Sequence, residues 1–199
     1  SPKQFFAGLY AHTDIKKDPH SGGRQMNCHF GTRLLNENGD WKTQTDMMNS
    51  VSDISCVSGQ MPRIVGLAYA SKLYRNNKNL SDMENFSING NEVVFGTIGD
   101  ASTSEGHFWE AINACGVLQV PLIMSIWDDG YGISVPSEYH TTRNDLSKAL
   151  SGFQRSSKKE NGYEIFTVHA WDYINLLKTY QKAEELARED HVPCIIHVK

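Results

Sequence analysis

Apolar residues recur with helical spacing in some stretches of this chain and in short continuous runs in others. A long segment between them has neither pattern. Phe5, Phe6, Leu9 and Tyr10 share one helical face, which predicts a short amphipathic helix in the first dozen residues. From Thr13 to about Ser58 the periodicity fades and loop formers dominate: His20-Ser21-Gly22-Gly23, Asn36 to Asp40, Asn49 to Asp53. A loop region that long inside a compact domain is usually functional or disordered. Helical spacing returns from Met61 to Tyr74, where Ile64, Val65, Leu67, Ala68 and Leu73 form a stripe, and Asn76 to Gly90 is a polar connection.

The second half is more regular. Glu92 to Ile98 reads as a strand, Ser104 to Leu118 as a helix, and Val120 to Trp127 as a buried strand. Glu164 to His169 and Cys194 to Val198 are two further strands, with a helix from Asp172 to Asp190 between them. Such alternation predicts right-handed βαβ units and an α/β fold, a parallel β-sheet flanked by helices. Ligands in such sheets bind beyond the carboxyl ends of the strands. The places to search are Gly99 onward, Asp128 onward, and the residues after His169 and Val198.

Composition narrows the classes. The length of 199 residues fits one domain of ordinary size, residues 1–199, and 39% apolar content is enough for a core. A net charge of −4, with no long run of either sign, argues against a nucleic-acid-binding surface. No apolar stretch approaches the ~20 residues that cross a bilayer. The N-terminus has neither a secretion signal nor an initiating Met, so a fragment of a longer polypeptide is expected. Cysteines at 28, 56, 115 and 194 are too far apart for a paired-cysteine zinc site, and a reducing, cytoplasmic setting is the default. Cys115 and Cys194, in apolar stretches, are expected in the core.

Two strand ends carry unusual chemistry. The first reads Gly99-Asp100-Ala101-Ser102-Thr103-Ser104-Glu105-Gly106. Small residues there let a ligand approach the backbone, and Asp100 projects at the strand tip. Ser102 and Glu105 have capping-box spacing, predicting a helix N-terminus whose free N–H groups favour a phosphate. The second end reads Trp127-Asp128-Asp129-Gly130-Tyr131-Gly132. Consecutive strands of a βαβ unit usually lie side by side, so Asp100 and Asp129 can converge. Their mutual repulsion calls for a hard divalent cation such as Mg²⁺. Either segment alone is ordinary cap or turn chemistry; together at successive strand ends they favour a site. Neither GxGxxG nor GxxxxGK[ST] occurs, and HExxH and GxSxG are absent as well.

Gly99-Asp100-Ala101, followed 29 positions after the aspartate by Asp129, resembles the thiamine-diphosphate motif that opens Gly-Asp-Gly and closes in Asn-Asn. Ser104-Glu105-Gly106, Trp109 to Asn113 and Pro121 resemble the alpha-subunit type of 2-oxo acid dehydrogenase decarboxylating component. Upstream, Gly22-Gly23-Arg24-Gln25-Met26, His29-Phe30-Gly31, Gln60-Met61-Pro62 and Gly66 with Ala68-Tyr69-Ala70 fit the same subunit, in order. The resemblance implies a thiamine-diphosphate-binding fold with thiamine diphosphate and Mg²⁺ as cofactors. It implies Asp100 and Asp129 as metal ligands, with Tyr131 giving its main-chain carbonyl. Gly99, Ala101 and Ser102 would line the diphosphate, Ser55 and Val57 would lie along the cofactor, and His29 would stand near the active-site entrance as the catalytic candidate. The implied reaction is oxidative decarboxylation of a 2-oxo acid with acyl transfer to a lipoyl acyltransferase partner. The Gly-Arg-Gln-Met and Ser-Glu-Gly details put branched-chain substrates first and pyruvate second.

The resemblance also implies missing parts. The activating glutamate belongs to a beta-type pyrimidine-binding domain or subunit, and a homo-oligomer is expected for the full-length enzyme. A Tyr-Arg phosphate grip should precede Ser1 and a histidine-bearing loop should follow Lys199, so the chain alone should bind cofactor weakly and catalyse nothing. There are departures from the pattern: Asp128-Asp129 replaces Asn-Asn, Ala101 replaces Gly, and Trp127 stands where some relatives have a basic residue. Ile54, Cys56 and Gly59 do not match the potassium site of some relatives, and none is predicted. His12, His20, His140 and His191, in polar segments, are expected at the surface, and His197 is expected to pack on the sheet. Two other classes remain open: a Mg²⁺-dependent phosphoryl-transfer enzyme using Asp100, Asp128 and Asp129, and a non-catalytic interaction module of the same fold.

Overall fold

The computed structural model describes residues 1–24, 29, 31–51 and 54–199. They fall into two compact units, residues 1–56 with 82–88, and residues 57–81 with 89–199. Gln25, Met26 and Phe30 of the family-like motifs, and Cys28, lie outside the described residues.

The first unit opens with α1 (Pro2–Leu9), where Ser1 and Gln4 form a capping box and Pro2 occupies the first turn. Beyond it, the described residues of the unit hold one 3₁₀ turn, Gln44–Asp46, and an isolated bridge between Leu35 and Trp41, in keeping with the loop composition. Side chains organise what the backbone does not. The buried Asp18 carboxylate accepts the Gly23 N–H and the Ser21 hydroxyl, both at 2.9 Å. Burial acts to raise its pKa, but these bonds overcome it and hold the carboxyl below its usual value. Trp41 packs edge-on against Phe86 with ring centroids 5.4 Å apart.

In the second unit the chain forms α2 (Met61–Asn76), β1 (Val94–Gly99), α3 (Gly106–Leu118) and β2 (Leu122–Trp127). A small hairpin follows, β3 (Tyr131–Gly132) with β4 (Val135–Pro136), then the single turn α4 (Leu146–Ala149). β5 (Glu164–Val168), α5 (Tyr173–Asp190) and β6 (Cys194–Val198) complete it. The four long strands run parallel in the order β1-β2-β6-β5. β6 is central, and all five of its residues are buried. β2 is buried except at Trp127, which explains its near-continuous apolar sequence. β1, at the edge, alternates in burial instead.

Helices cover both faces. On one, α2 and α3 bury Met61, Ile64, Ala68, Phe108, Ile112 and Cys115 against Ile98, Met124, Ile126 and Ile195. The buried stripe of α2 runs through Met61, Ile64, Ala68 and Ser71, leaving Leu67 and Leu73 partly exposed. Gly96 permits this close packing, since a Cβ there would lie 2.7 Å from Ile64 Cδ1 and 2.9 Å from Met124 Cε. On the other face, Ala183 and Ala187 of α5 let the helix settle on Ile123, Ile196 and Val198. Asp172 caps α5 by accepting the Asn175 N–H at 3.2 Å. Cys115 and Cys194 are buried free thiols, each pushed up to about 12 by burial. Among the described residues, no helix is long and apolar enough to cross a membrane.

Candidate functional site

Parallel pairing sets the site. β1 and β2 align Gly99 with Trp127, and the Asp100 N–H continues the ladder by donating to the Trp127 carbonyl at 3.0 Å. β2 and β6 align Trp127 with Val198, and the Asp128 N–H donates to the Val198 carbonyl at 2.8 Å. Three neighbouring strands therefore end level, and the acidic residues Asp100, Asp128 and Asp129 gather beyond their tips.

Asp100 is buried, with 4% of its surface exposed. Its pKa is raised, first by burial and then by the nearby charges of Asp128 and Asp129, with His140 acting the other way. Among the described residues, Asp100 Oδ2 and His140 Nε2 are the buried side-chain N/O atoms with no hydrogen-bond partner. A buried carboxylate oxygen left unpaired beside two further carboxylates is the setting that a hard cation satisfies.

The loop after β2 makes two successive side-chain-to-backbone turns. Asp128 Oδ1 accepts the Gly130 N–H at 3.0 Å, and Asp129 Oδ1 accepts the Tyr131 N–H at 3.1 Å. Tyr131 then opens the β3–β4 hairpin, whose Gly132 lies against the first strand tip. A Cβ at Gly132 would stand 2.7 Å from Ala101 Cβ and 3.8 Å from His140 Nε2. His140 is thus placed at the tip rather than in solvent, with Nδ1 2.9 Å from the Thr141 hydroxyl. Sequence reasoning missed it because its neighbours are polar and it follows a hairpin of two-residue strands and the single 3₁₀ turn Ser137–Tyr139, none of which has a period.

The helix N-terminus expected at Ser102 does not form there. Ala101–Ser104 is a 3₁₀ turn with no side-chain cap, and α3 starts only at Gly106 with Glu105 in the cap position. The Ser102 carbonyl is instead taken by the Ser58 hydroxyl at 2.7 Å and by the Glu105 N–H at 3.3 Å. The Thr103 hydroxyl holds the Asp100 carbonyl at 2.5 Å, so the turn after the strand tip is braced from within.

Gly99, Asp100, Ala101, Ser102, Asp129 and Tyr131 therefore share one end of one sheet. Val57 belongs to the same unit and is half-exposed. His29 and Ser55 belong to the first unit, where His29 Nε2 lies 3.1 Å from Ser55 Oγ. No cluster of three or more His, Cys, Asp or Glu side chains among the described residues could hold a metal. The expected set, two carboxylates and one main-chain carbonyl, asks for fewer. A cavity of ≈ 490 Å³ lies to one side of the tip, lined by Thr103, Ser104, Trp109, His140, Arg143 and Leu146 among others. None of the three expected metal ligands lines it.

The fold is the thiamine-diphosphate-binding one. The structure resembles that of transketolase from Campylobacter jejuni at a TM-score of 0.54 and 17% identity, covering 76% of this chain and 20% of that one. That likeness concerns the fold alone. The family model of the dehydrogenase E1 component matches residues 1–199, and the chain belongs to this family. It is 28% identical over 179 residues to the 2-oxoisovalerate dehydrogenase subunit alpha of Bacillus subtilis, covering 90% of this chain and 44% of the relative. The mitochondrial 2-oxoisovalerate dehydrogenase subunit alpha of Caenorhabditis elegans is 32% identical over 166 residues, covering 83% of this chain and 30% of the relative. The chain thus spans less than half the length of these relatives.

Proposed function

We propose that this chain is the diphosphate- and Mg²⁺-binding part of a thiamine-diphosphate-dependent 2-oxo acid dehydrogenase. The observation that carries this is Asp100, whose buried Oδ2 has no partner while Asp128 and Asp129 crowd the same strand tip. Mg²⁺ would be held by the side chains of Asp100 and Asp129 and the main-chain carbonyl of Tyr131. Gly99, Ala101 and Ser102 would line the diphosphate. Thiamine diphosphate supplies a nucleophilic carbanion and an electron sink for the loss of carbon dioxide from a 2-oxo acid.

The chain's own residues bind and orient. Asp100 and Asp129 would hold the cation that anchors the diphosphate, while Gly132, packed on Ala101, keeps the hairpin close to the first strand tip. Val57 would lie along the cofactor in the second unit, and Ser55 and His29 are the corresponding candidates of the first, His29 toward substrate. A beta-type pyrimidine-binding domain or subunit would complete the active site, a lipoyl acyltransferase would take the acyl group, and the complete enzyme would be a homo-oligomer of such assemblies. The relatives named for 2-oxoisovalerate favour a branched-chain 2-oxo acid over pyruvate as substrate.

A phosphoryl-transfer enzyme would also need a charge-stabilising lysine after a later strand; Lys199, directly after β6, instead donates to Asp145 Oδ2 at 2.9 Å. The discriminating assay follows carbon dioxide release by the complete protein with thiamine diphosphate and Mg²⁺. Branched-chain 2-oxo acids should be turned over faster than pyruvate. Phosphatase turnover, or binding without any decarboxylation, would favour the other two classes.

A further inference from the structure

His197 lies in the middle of the sheet, in β6, paired in register with Ile126 on one side and Thr167 on the other. Its side chain is completely buried. A polar ring there is costly unless both nitrogens are satisfied. They are: Nε2 lies 2.7 Å from Asp128 Oδ2, and Nδ1 lies 2.7 Å from Ser147 Oγ. Ser147, carried by α4, is in turn 2.8 Å from the Thr167 hydroxyl. The chain Thr167–Ser147–His197–Asp128 runs from β5 under α4 to the acidic strand tip. With Ser147 donating to Nδ1, or with both ring nitrogens protonated, Nε2 donates to Asp128 in either case.

What ends that chain matters. Asp128 is fixed at three points: its N–H on Val198, its Oδ1 on Gly130, and its Oδ2 on His197. The next residue is Asp129, whose carboxylate holds the Tyr131 N–H. Asp128 therefore anchors the start of the loop that carries Asp129 and Tyr131. This chain also has Asp at position 128 where the family pattern has Asn, so an extra charge must be accommodated at the tip. A buried imidazole N–H aimed at that charge does so.

We propose that His197 is a positioning residue of the Mg²⁺ site, acting through Asp128 to fix the loop that carries Asp129 and the Tyr131 carbonyl. This rests on the metal-binding reading above and assigns a further residue to it. Partners that orient ligands from behind typically change metal affinity by about 10-fold to 100-fold when removed.

The test is calorimetric titration of Mg²⁺ into the complete protein in the presence of thiamine diphosphate, with thermal unfolding measured in parallel. His197→Met keeps the volume and loses the donor, and should weaken Mg²⁺ about 10-fold or more. His197→Gln keeps a donor near the Nε2 position and should recover most of that loss. The double variant Asp128→Asn with His197→Met removes the stranded charge and should bind Mg²⁺ better than His197→Met alone. Equal affinities for wild type, His197→Met and His197→Gln would overturn the proposal. So would an equal loss in both single variants, since the ring's shape rather than its donor would then matter. If His197→Met does not fold, Ser147→Ala carries the test: a smaller loss in the same direction supports the positioning chain, and unchanged affinity overturns it. If the wild type takes up no Mg²⁺ at all, the metal-binding reading itself fails, which is a distinct result.

Discussion

The Asp100 N–H donates to the Trp127 carbonyl at 3.0 Å, extending the β1–β2 ladder one residue past the end of β1. Two consequences follow from this one bond. It brings the acidic residues after β1 and β2 into each other's field, and it keeps the Asp100 backbone from turning away toward solvent. The local structure holds carboxylates close that repel one another, an arrangement that costs stability until something positive binds.

Asp100→Asn should therefore stabilise the metal-free protein at neutral pH. The folded-state pKa of Asp100 is raised, so its contribution is favourable at low pH and is lost as pH rises through that value. The variant lacks that loss. Its melting temperature should exceed the wild type's at pH 7, and the gap should shrink as pH falls toward the ordinary carboxylate range near ~4. Thermal unfolding of both proteins across that range, without added Mg²⁺, checks it.

Gly132→Ala should be destabilising by about 1–3 kcal/mol, because its Cβ would fall 2.7 Å from Ala101 Cβ. Combining it with Ala101→Gly removes the opposing methyl and should restore most of the loss. Urea denaturation of the two single variants and the double variant reads the coupling directly.

Tyr163→Phe tests the core beneath the sheet. The buried Tyr163 hydroxyl donates to the Ile112 carbonyl at 2.7 Å, and burial raises its pKa so that it stays protonated. Removing the hydroxyl should cost about 0.5–1.5 kcal/mol with no change in Mg²⁺ affinity. A large affinity change would mean that the core and the strand tips are more tightly coupled than the packing implies.

Asp18 adds acid sensitivity to the first unit. Its lowered folded-state pKa gives stability that is present above the ordinary carboxylate value and is lost as pH falls through the folded value. Hydrogen exchange at the Gly23 amide, which Asp18 holds, should accelerate as pH is lowered relative to its intrinsic rate. Asp18→Ala should remove that extra protection at neutral pH.

Much of this arrangement was legible in the residues themselves. The run Cys194 to Val198 matches β6 residue for residue, since a fully buried central strand is apolar without alternation. The nearness of the two acidic segments was legible from the strand pattern: β1 ends at Gly99 and its neighbour β2 at Trp127, so Asp100 and Asp128-Asp129 follow the tips of paired strands. The capping-box spacing of Ser102 and Glu105 misled. Asp100 adopts helical dihedrals and starts a 3₁₀ turn, leaving Ser102 inside the turn instead of ahead of it. The β3–β4 hairpin was invisible because strands of two residues have no period. His197 looked like a packing residue among isoleucines, and its partners, Ser147 and Asp128, lie 50 and 69 residues away in sequence.

On the reading proposed above, the acidic strand tips form a Mg²⁺ site for thiamine diphosphate. Calorimetric titration of thiamine diphosphate into the complete protein, with and without Mg²⁺ and repeated on Asp100→Ala, tests it most directly. Binding should require Mg²⁺ and be lost in Asp100→Ala. Binding that is indifferent to the metal, or that survives intact in Asp100→Ala, would contradict it.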